Sequence, residues 1–317
     1  MKVVQSRLEK AATKAGAVVA AGFFDGLHLG HRTVLDAALK TARGAGTEAW
    51  VFTFAAHPRA FLSPGGGPPL LMAPDSRLAA LEALGFDGTC LVAFDGAVAA
   101  LEPEAFADRL GVVFPALEGV CCGENWRFGR GGAGTSETLA ALGRARGWHV
   151  EAAPVADYGG APVSSTRIRA AVAAGDLEAA REMLGRPYSI SGVVGHGRHV
   201  GSSGGAPTAN LATDGLATPP PGVYAVEAML GGTALRGVAD LGWRPTFPEA
   251  RPTAPVLEVH LFDVSGDLYG ERLEVAFLKR LRDEIAFPTQ EALFAQIAKD
   301  IAAAKAALPA SGRYCGT

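Results

Sequence analysis

Gly22-Phe23-Phe24-Asp25-Gly26-Leu27-His28-Leu29-Gly30-His31 decides how the rest of the chain is read. The apolar run Ala17 to Ala21 leads into it and reads as a buried parallel strand. His31 to Arg43 follows, with Val34, Leu35, Ala38 and Leu39 at helical spacing. Two histidines three residues apart therefore stand where a strand turns into the N-terminus of a helix. Such a terminus presents free backbone N–H groups and a partial positive charge, which suits a phosphate. Gly22, Gly26 and Gly30 allow a tight turn and the close approach of a bulky anion. His-x-x-His alone would be half of a zinc site, but zinc takes three or four ligands and no third His or Cys is placed to complete it.

Working outward, the alternation of strand and helix continues to about Arg186. Ala49 to Phe54 reads as a second buried strand, ending in Ala55-Ala56-His57-Pro58. Ser63 to Pro69 is a Pro/Gly loop. Asp75 is expected to N-cap a helix that runs to Leu84 and stops at Gly85. Cys90 to Phe94, Gly119 to Cys122 and His149 to Ala153 read as strands three to five, with helices over Pro103 to Leu110 and Thr135 to Arg146. Repeated βα units with apolar strands predict an α/β domain built on a doubly wound parallel sheet. Ligands of such sheets bind beyond the carboxyl ends of the strands. His28, His31, His57 and Asn125 all follow strands and converge on that edge. Two helical segments, opened by Ser164 to Arg169 and by Gly175-Asp176-Leu177, close this half.

Gly185-Arg186-Pro187-Tyr188 breaks the pattern. Beyond it the period is that of strands: Tyr188 to Gly195, Val223 to Leu230, Ala234 to Leu241, Leu257 to Asp263 and Leu273 to Phe277. An all-β barrel is expected, followed by one helix from Thr289 to about Leu308. The expected domains are residues 1–186 and 187–317. With 317 residues and 49% hydrophobic content, the chain has material for two cores. A net charge of −3 gives no basic face, so nucleic acid is not an expected partner. No apolar run reaches the length of a membrane span, and Met1 to Ser6 does not read as a secretory leader. Cys121 and Cys122 lie in a strand-like run and read as core thiols, not as a disulfide or metal framework. A cytoplasmic enzyme is expected, its oligomeric state left open.

G-x-F-D-G-x-H-x-G-H resembles the nucleotide-binding motif of the prokaryotic bifunctional riboflavin kinase/FAD synthetases, within the H-x-G-H nucleotidylyltransferase superfamily. Gly123-Glu124-Asn125-Trp126-Arg127-Phe128-Gly129 is similar to that family's G-x-[DN]-F-R-F-G segment, and Ser164 to Arg169 to its S-S-T-R-I-R segment. Phe54-Ala55-Ala56-His57-Pro58 resembles F-D-P-H-P with alanines at two positions. The resemblance implies adenylylation of FMN by ATP, giving FAD and pyrophosphate. A phosphate oxygen is already anionic at neutral pH, so this attack needs no general base; the difficulty is charge at the α-phosphate, which imidazoles, an Arg and Mg²⁺ would stabilise. His28 and His31 are assigned to the ATP phosphates, and Ser164, Thr166 and Arg167 to the β- and γ-phosphates. Asn125 is assigned to ligand positioning; Gly22, Phe24, Asp25 and Gly30 are assigned to nucleotide binding, Asp25 orienting either a histidine or the nucleotide. Gly129 to Gly134 fits G-x-G-x-x-G but follows the fourth strand, so it reads as a glycine loop near the nucleotide, not as a dinucleotide fingerprint. Arg144 and Arg146 read as a solvated helix face.

Gly205-Ala206-Pro207-Thr208-Ala209-Asn210-Leu211 resembles the riboflavin kinase motif G-F-P-T-A-N-L. Gly222-Val223-Tyr224, Gly242 to Phe247, Leu257 to Leu261 and Arg282 to Phe287 also match that module. Thr208 and Asn210 alternate on an extended segment and share a face. They offer neutral oxygens to Mg²⁺ on ATP phosphates, and Pro207 fixes the backbone beside them. The attacker implied here is the 5′-hydroxyl of riboflavin, which benefits from a base; the resemblance puts that base at Glu258. His196, His199 and His260 read as surface or loop residues. Ser202, Gly204 and Ala206 depart from the family's G-R-x-L-G-F-P-T-A-N. They predict a kinase that works with poorer affinity for ATP or flavin, and they motivate an alternative: a monofunctional FMN adenylyltransferase whose β half binds flavin but is impaired as a kinase.

Overall fold

The computed structural model describes residues 1–195, 208–243, 254–264 and 266–308. Two compact units emerge, one of Met1–Pro68 with Pro74–Ser164, the other of Pro69–Ala73 with the chain from Ser165 onward.

The first unit contains β1 (Lys2–Ser6), β2 (Ala17–Ala21), α1 (Leu29–Ala45), β3 (Glu48–Phe54), α2 (Pro58–Leu62), α3 (Pro74–Ala83), β4 (Gly88–Val92), α4 (Gly96–Ala99), α5 (Pro103–Val113), β5 (Leu117–Gly123), α6 (Ser136–Ala145), β6 (His149–Ala153) and the short hairpin β7 (Asp157–Tyr158) with β8 (Ala161–Pro162). Six strands form one parallel sheet in the order β1-β4-β3-β2-β5-β6. The doubly wound α/β expectation holds. β2 is fully buried, as its uninterrupted apolar run requires. The buried face of α1 is Val34, Leu35, Ala38, Leu39 and Ala42, the stripe its periodicity gives.

Several details differ from the sequence reading. Short elements such as α2, α4 and the β7–β8 hairpin are absent from it, and the helices Ser165–Ala174 and Leu177–Leu184 group with the second unit, ahead of the expected boundary at Arg186. β1 is an additional strand on the sheet edge; it is short and mostly exposed, so no apolar run marks it. Asp75 does not cap α3 but lies in its first turn. Pro74 has its φ fixed and no N–H to lose, which suits it to the first helical position and moves the helix start ahead of Asp75. Arg146 is no freely solvated side chain: it donates to Asp108 at 2.6 Å and to the Leu142 carbonyl at 3.0 Å, and covers the Trp148 ring. The cysteines behave as read. Burial pushes the Cys90 and Cys121 thiols up to about 12 and Cys122 to about 11, so they are inert core groups.

The second unit contains α7 (Ser165–Ala174), α8 (Leu177–Leu184), β9 (Ser189–Val193), β10 (Ala209–Ala212), β11 (Gly222–Leu230), β12 (Thr233–Gly242), β13 (Val256–Leu261), β14 (Arg272–Arg282) and α9 (Gln290–Ala307). Asp176 caps α8, accepting from the Ala179 N–H at 2.9 Å. The strands form an antiparallel sheet in the order β10-β13-β12-β11-β14-β9. A further bridge, Gly195 to Asn210, brings its two edges together, so the sheet is a nearly closed barrel. Tyr188 and Phe277 stack inside it, and Tyr224 meets Phe277 edge-on. Thr289 caps α9, whose Ala304 and the following Leu308 pack on Val223, Ala225, Val238 and Phe262. Among the described residues, no helix is long and apolar enough to cross a membrane.

Candidate active sites

In the first unit the decisive feature is the strand order. β2 has β3 on one side and β5 on the other, so the order reverses between β2 and β5. That reversal is where an open parallel sheet leaves a crevice at its carboxyl edge. The turn after β2 carries Asp25, His28 and His31; the turn after β5 carries Asn125, exposed at its tip. The aromatic neighbours of Asn125 turn inward, with Phe128 buried and Trp126 stacked on it at 5.0 Å.

The turn after β2 is tightly constrained. Phe24 and Leu27 both adopt positive φ, +58° and +46°, where bulky residues are strained, and Gly26 lies at +82°. The Phe24 ring folds back over Gly22 so closely that a Cβ there would lie 2.8 Å from it. The close approach that glycine permits at position 22 is thus made by the protein's own ring. Gly30 belongs to the first turn of α1, and a Cβ on it would lie 3.3 Å from the His28 ring.

His28 is the N-cap of α1, which starts at Leu29, two residues ahead of the start expected from periodicity. Its Nδ1 accepts from the His31 backbone N–H at 3.2 Å, so that nitrogen carries no proton in this arrangement. The two imidazoles stack with ring centres 3.5 Å apart. Phe24 meets His31 edge-on. The His31 Nδ1 is buried without a hydrogen-bond partner. Desolvation first, then the neighbouring His28 and Arg77 charges, hold the His31 pKa well below its usual value. His31 is thus held neutral beside a helix N-terminus, whose partial positive charge suits an anion. His57 caps α2 in the same manner, its Nδ1 accepting from the Arg59 N–H at 3.1 Å, and its ring meets Phe23 at 4.7 Å.

Val163 runs beside this turn, its carbonyl 3.8 Å from the position of a Cβ on Gly30, and Ser164 follows it directly. Thr166 and Arg167 stand in the first turn of α7, which groups with the second unit. The glycine stretch after Asn125 forms a closed loop: Phe128 and Gly134 exchange backbone hydrogen bonds, and Arg130 pairs with Glu102.

In the second unit the pairing register assembles the site. Asn210 on β10 lies directly opposite Glu258 on β13. Glu258 in turn faces Asp240 on β12, Asp240 faces Val223 on β11, and Val223 faces Arg282 on β14. Residues directly opposite share one face of a sheet, so this row presents a carboxamide, two carboxylates and a guanidinium to the same side. A cavity of about 230 Å³ opens over it. Thr208, Asp240, Glu258 and His260 line its polar side; Ile285, Phe287, Leu293, Phe294 and Ile297 line its apolar side. His260 is thus a cavity residue, two positions along β13 from Glu258, and not a loop histidine. His196, His199, Pro207, Gly201 to Ala206 and Arg244 to Phe247 lie outside the described residues.

Arg282 is fixed by Asp300 of α9, donating from Nε at 3.0 Å and from Nη2 at 2.7 Å, and Gln296 donates to the same carboxylate at 2.9 Å. The Asp300 hydrogen bond raises the Arg282 pKa further. Sequence reading missed Asp240, Arg282 and Asp300 as a group. Asp300 follows Leu293 and Ile297 at helical spacing on α9 and is buried there, where a carboxylate among apolar residues marks a buried partner. Among the described residues no three His, Cys, Asp or Glu side chains gather to hold a metal. Thr208 and Asn210 supply neutral oxygens of the kind that complete the shell of a phosphate-bound Mg²⁺, which keeps several waters and needs no protein cage.

Comparison with known proteins finds two family matches in this order: FAD synthetase over residues 10–167 and riboflavin kinase over residues 184–308. A bifunctional riboflavin kinase/FMN adenylyltransferase of Bacillus subtilis is 36% identical over 291 residues, 90% of this chain and 91% of that protein. Proteins of the same description from Pseudomonas fluorescens and Escherichia coli K12 are 37% and 36% identical, over 94% and 91% of this chain and 95% and 92% of their own lengths. A crystal structure described as a macrolide-efflux protein from Streptococcus pneumoniae superposes with a TM-score of 0.81 at 29% identity, over 95% of this chain and 97% of that one.

Proposed function

The chain belongs to the bifunctional riboflavin kinase/FMN adenylyltransferase family, and from that premise we propose where each reaction takes place and which residues carry it. The protein is a transferase of flavin cofactor synthesis: riboflavin and ATP give FMN and ADP, then FMN and ATP give FAD and pyrophosphate. The functional division we propose is residues 1–186 for adenylyl transfer and 187–317 for the kinase, with the two family matches as its support. The small-molecule substrates are the partners; the chain works in the cytoplasm without nucleic acid or membrane.

Adenylyl transfer is assigned to the turn after β2. An FMN phosphate oxygen attacks the α-phosphorus of ATP, and the bond from that phosphorus to the β-phosphate bridging oxygen breaks, releasing pyrophosphate. His28 and His31, at the α1 N-terminus, take up the charge on the α-phosphate. Ser164, Thr166 and Arg167 hold the β- and γ-phosphates, the guanidinium as a two-point clamp. Gly22, Phe24, Asp25 and Gly30 shape the turn, and Asn125 faces the same crevice from the neighbouring strand.

The kinase is assigned to the barrel cavity, and the opposition of Asn210 and Glu258 is the observation that carries it. Glu258 accepts the proton of the riboflavin 5′-hydroxyl while its oxygen bonds the γ-phosphorus of ATP and ADP leaves. Thr208 and Asn210, with Pro207 ahead of them, would hold Mg²⁺ on the ATP phosphates, where it neutralises charge. The apolar wall of Phe287, Leu293, Phe294 and Ile297 suits a flat ring system, and the polar strand row suits a hydroxylated chain. Chromatography of products from Mg-ATP with either riboflavin or FMN tests this reading. Riboflavin should give FMN and FAD. FAD from FMN with nothing from riboflavin would leave a monofunctional adenylyltransferase, as the departures at Ser202, Gly204 and Ala206 would permit.

A further inference from the structure

Arg77 belongs to none of the motifs above, yet it is buried to 3% exposure inside the first unit. Its Nη1 donates to the Phe23 carbonyl at 2.7 Å and its Nη2 to the Phe54 carbonyl at 2.8 Å. Phe54 is the last residue of β3, and Phe23 is the second residue beyond β2. Such strand-end carbonyls lie past the last ladder bond and need a donor when buried. The Thr53 hydroxyl adds a second bond to the Phe23 carbonyl at 3.1 Å. The guanidinium also lies 4.6 Å from the centre of the Phe23 ring, the ring that His57 meets. Burying a guanidinium is costly, and the nearby Asp25 charge offsets part of that cost.

The loop beyond β2 carries His28 and His31, and the loop beyond β3 carries His57. We propose that Arg77 is a positioning residue for adenylyl transfer: its planar fork ties the Phe23 and Phe54 carbonyls at a fixed spacing, so that both histidine turns face one nucleotide. This rests on the assignment of adenylyl transfer to the His28 turn. A guanidinium suits the task because its N–H groups are held in one rigid plane. Misplacing a catalytic group by about 1 Å costs on the order of 10²-fold in rate.

The test is steady-state FAD formation from FMN and Mg-ATP in Arg77→Met and Arg77→Lys, with FMN formation from riboflavin and thermal denaturation followed on the same samples. Arg77→Met should lower kcat by roughly ten-fold or more and raise the ATP KM, with the kinase rate unchanged. Arg77→Lys, which keeps a cation but not the planar fork, should recover only part of the loss. Wild-type kcat and KM in Arg77→Met would overturn the inference. So would a fall in kcat that only matches the unfolded fraction, with KM unchanged. If Arg77→Met does not fold, Arg77→Lys decides, because an ammonium cannot span both carbonyls as the planar fork does. Its kcat should still fall a few-fold with a raised ATP KM, and wild-type constants in it would overturn the inference. His28→Ala runs alongside: FAD formation surviving in that variant would count against the site assignment itself, not against the Arg77 clamp.

Discussion

In the first unit, the residues assigned to the α-phosphate lie on one turn, His28 capping the helix that His31 joins. In the second, the assigned residues are spread from Thr208 to Asp300 and meet only because strands pair in one register and α9 folds back over them. The first site combines local backbone, a helix N-terminus and three positive-φ residues, with a pair of stacked imidazoles. The second is made of side chains on alternate positions of antiparallel strands. One construction offers a fixed partial positive charge to an attacker that is already anionic. The other offers carboxylates to an attacker that must lose a proton. The difference matches the two chemistries, since a phosphate needs charge stabilisation and a hydroxyl needs a base.

Breaking either site alone tests whether the two constructions work separately. Glu258→Gln should have the largest effect, lowering FMN formation from riboflavin by about 10²–10⁴-fold, with FAD formation from supplied FMN unchanged. Unchanged kinase activity would move the base to another group, Asp240 being its neighbour across the strands. His28→Ala should lower FAD formation by about 10²–10³-fold and leave the kinase reaction intact. Equal losses of both products would instead mean that the two units do not act independently.

Two smaller effects sharpen the comparison. Asp300→Ala leaves the Arg282 guanidinium without its carboxylate, at a cost of roughly 2–3 kcal/mol. Denaturant unfolding of the barrel should show this loss, together with a raised riboflavin KM and unaltered FAD formation from FMN; an unshifted transition would show that the pair contributes little. The smallest effect is a pH dependence confined to the first unit. His31 is held below its ordinary pKa of about 6.5, so near that pH the unfolded chain takes up a proton that the folded one refuses. The stability tied to this group is complete above about pH 6.5 and is lost as the pH falls through the lower folded-state value. The first unit's melting temperature should fall between about pH 7 and 5, and His31→Gln should flatten that fall. Parallel curves for the two proteins would contradict the assignment.

How much was legible in the sequence follows the same division. The first site could be read because its histidines, glycines and preceding strand are contiguous, and apolar periodicity fixed β2 and α1 on either side. Glu258 and Asn210 were assigned through motif resemblance, whereas their direct opposition is a property of register, which no single segment encodes. His260 was misread because polar residues alternating along a strand, as Glu258 and His260 do, give no sign of whether their face meets solvent or a cavity. Arg77 gave no signal at all: its partners are backbone carbonyls, and any residue supplies those. Asp75 was expected as the N-cap but is the second residue of α3, because Pro74 takes the first helical position.

Mixing the His28→Ala and Glu258→Gln proteins with riboflavin and Mg-ATP tests the central claim most directly, by chromatography of FAD over time. Each variant alone should make essentially no FAD from riboflavin. Together they should make it after a lag, as FMN released by the first protein reaches the intact site of the second. No FAD from the mixture, with each variant retaining its own single reaction, would contradict the account of two complete sites that communicate through free FMN.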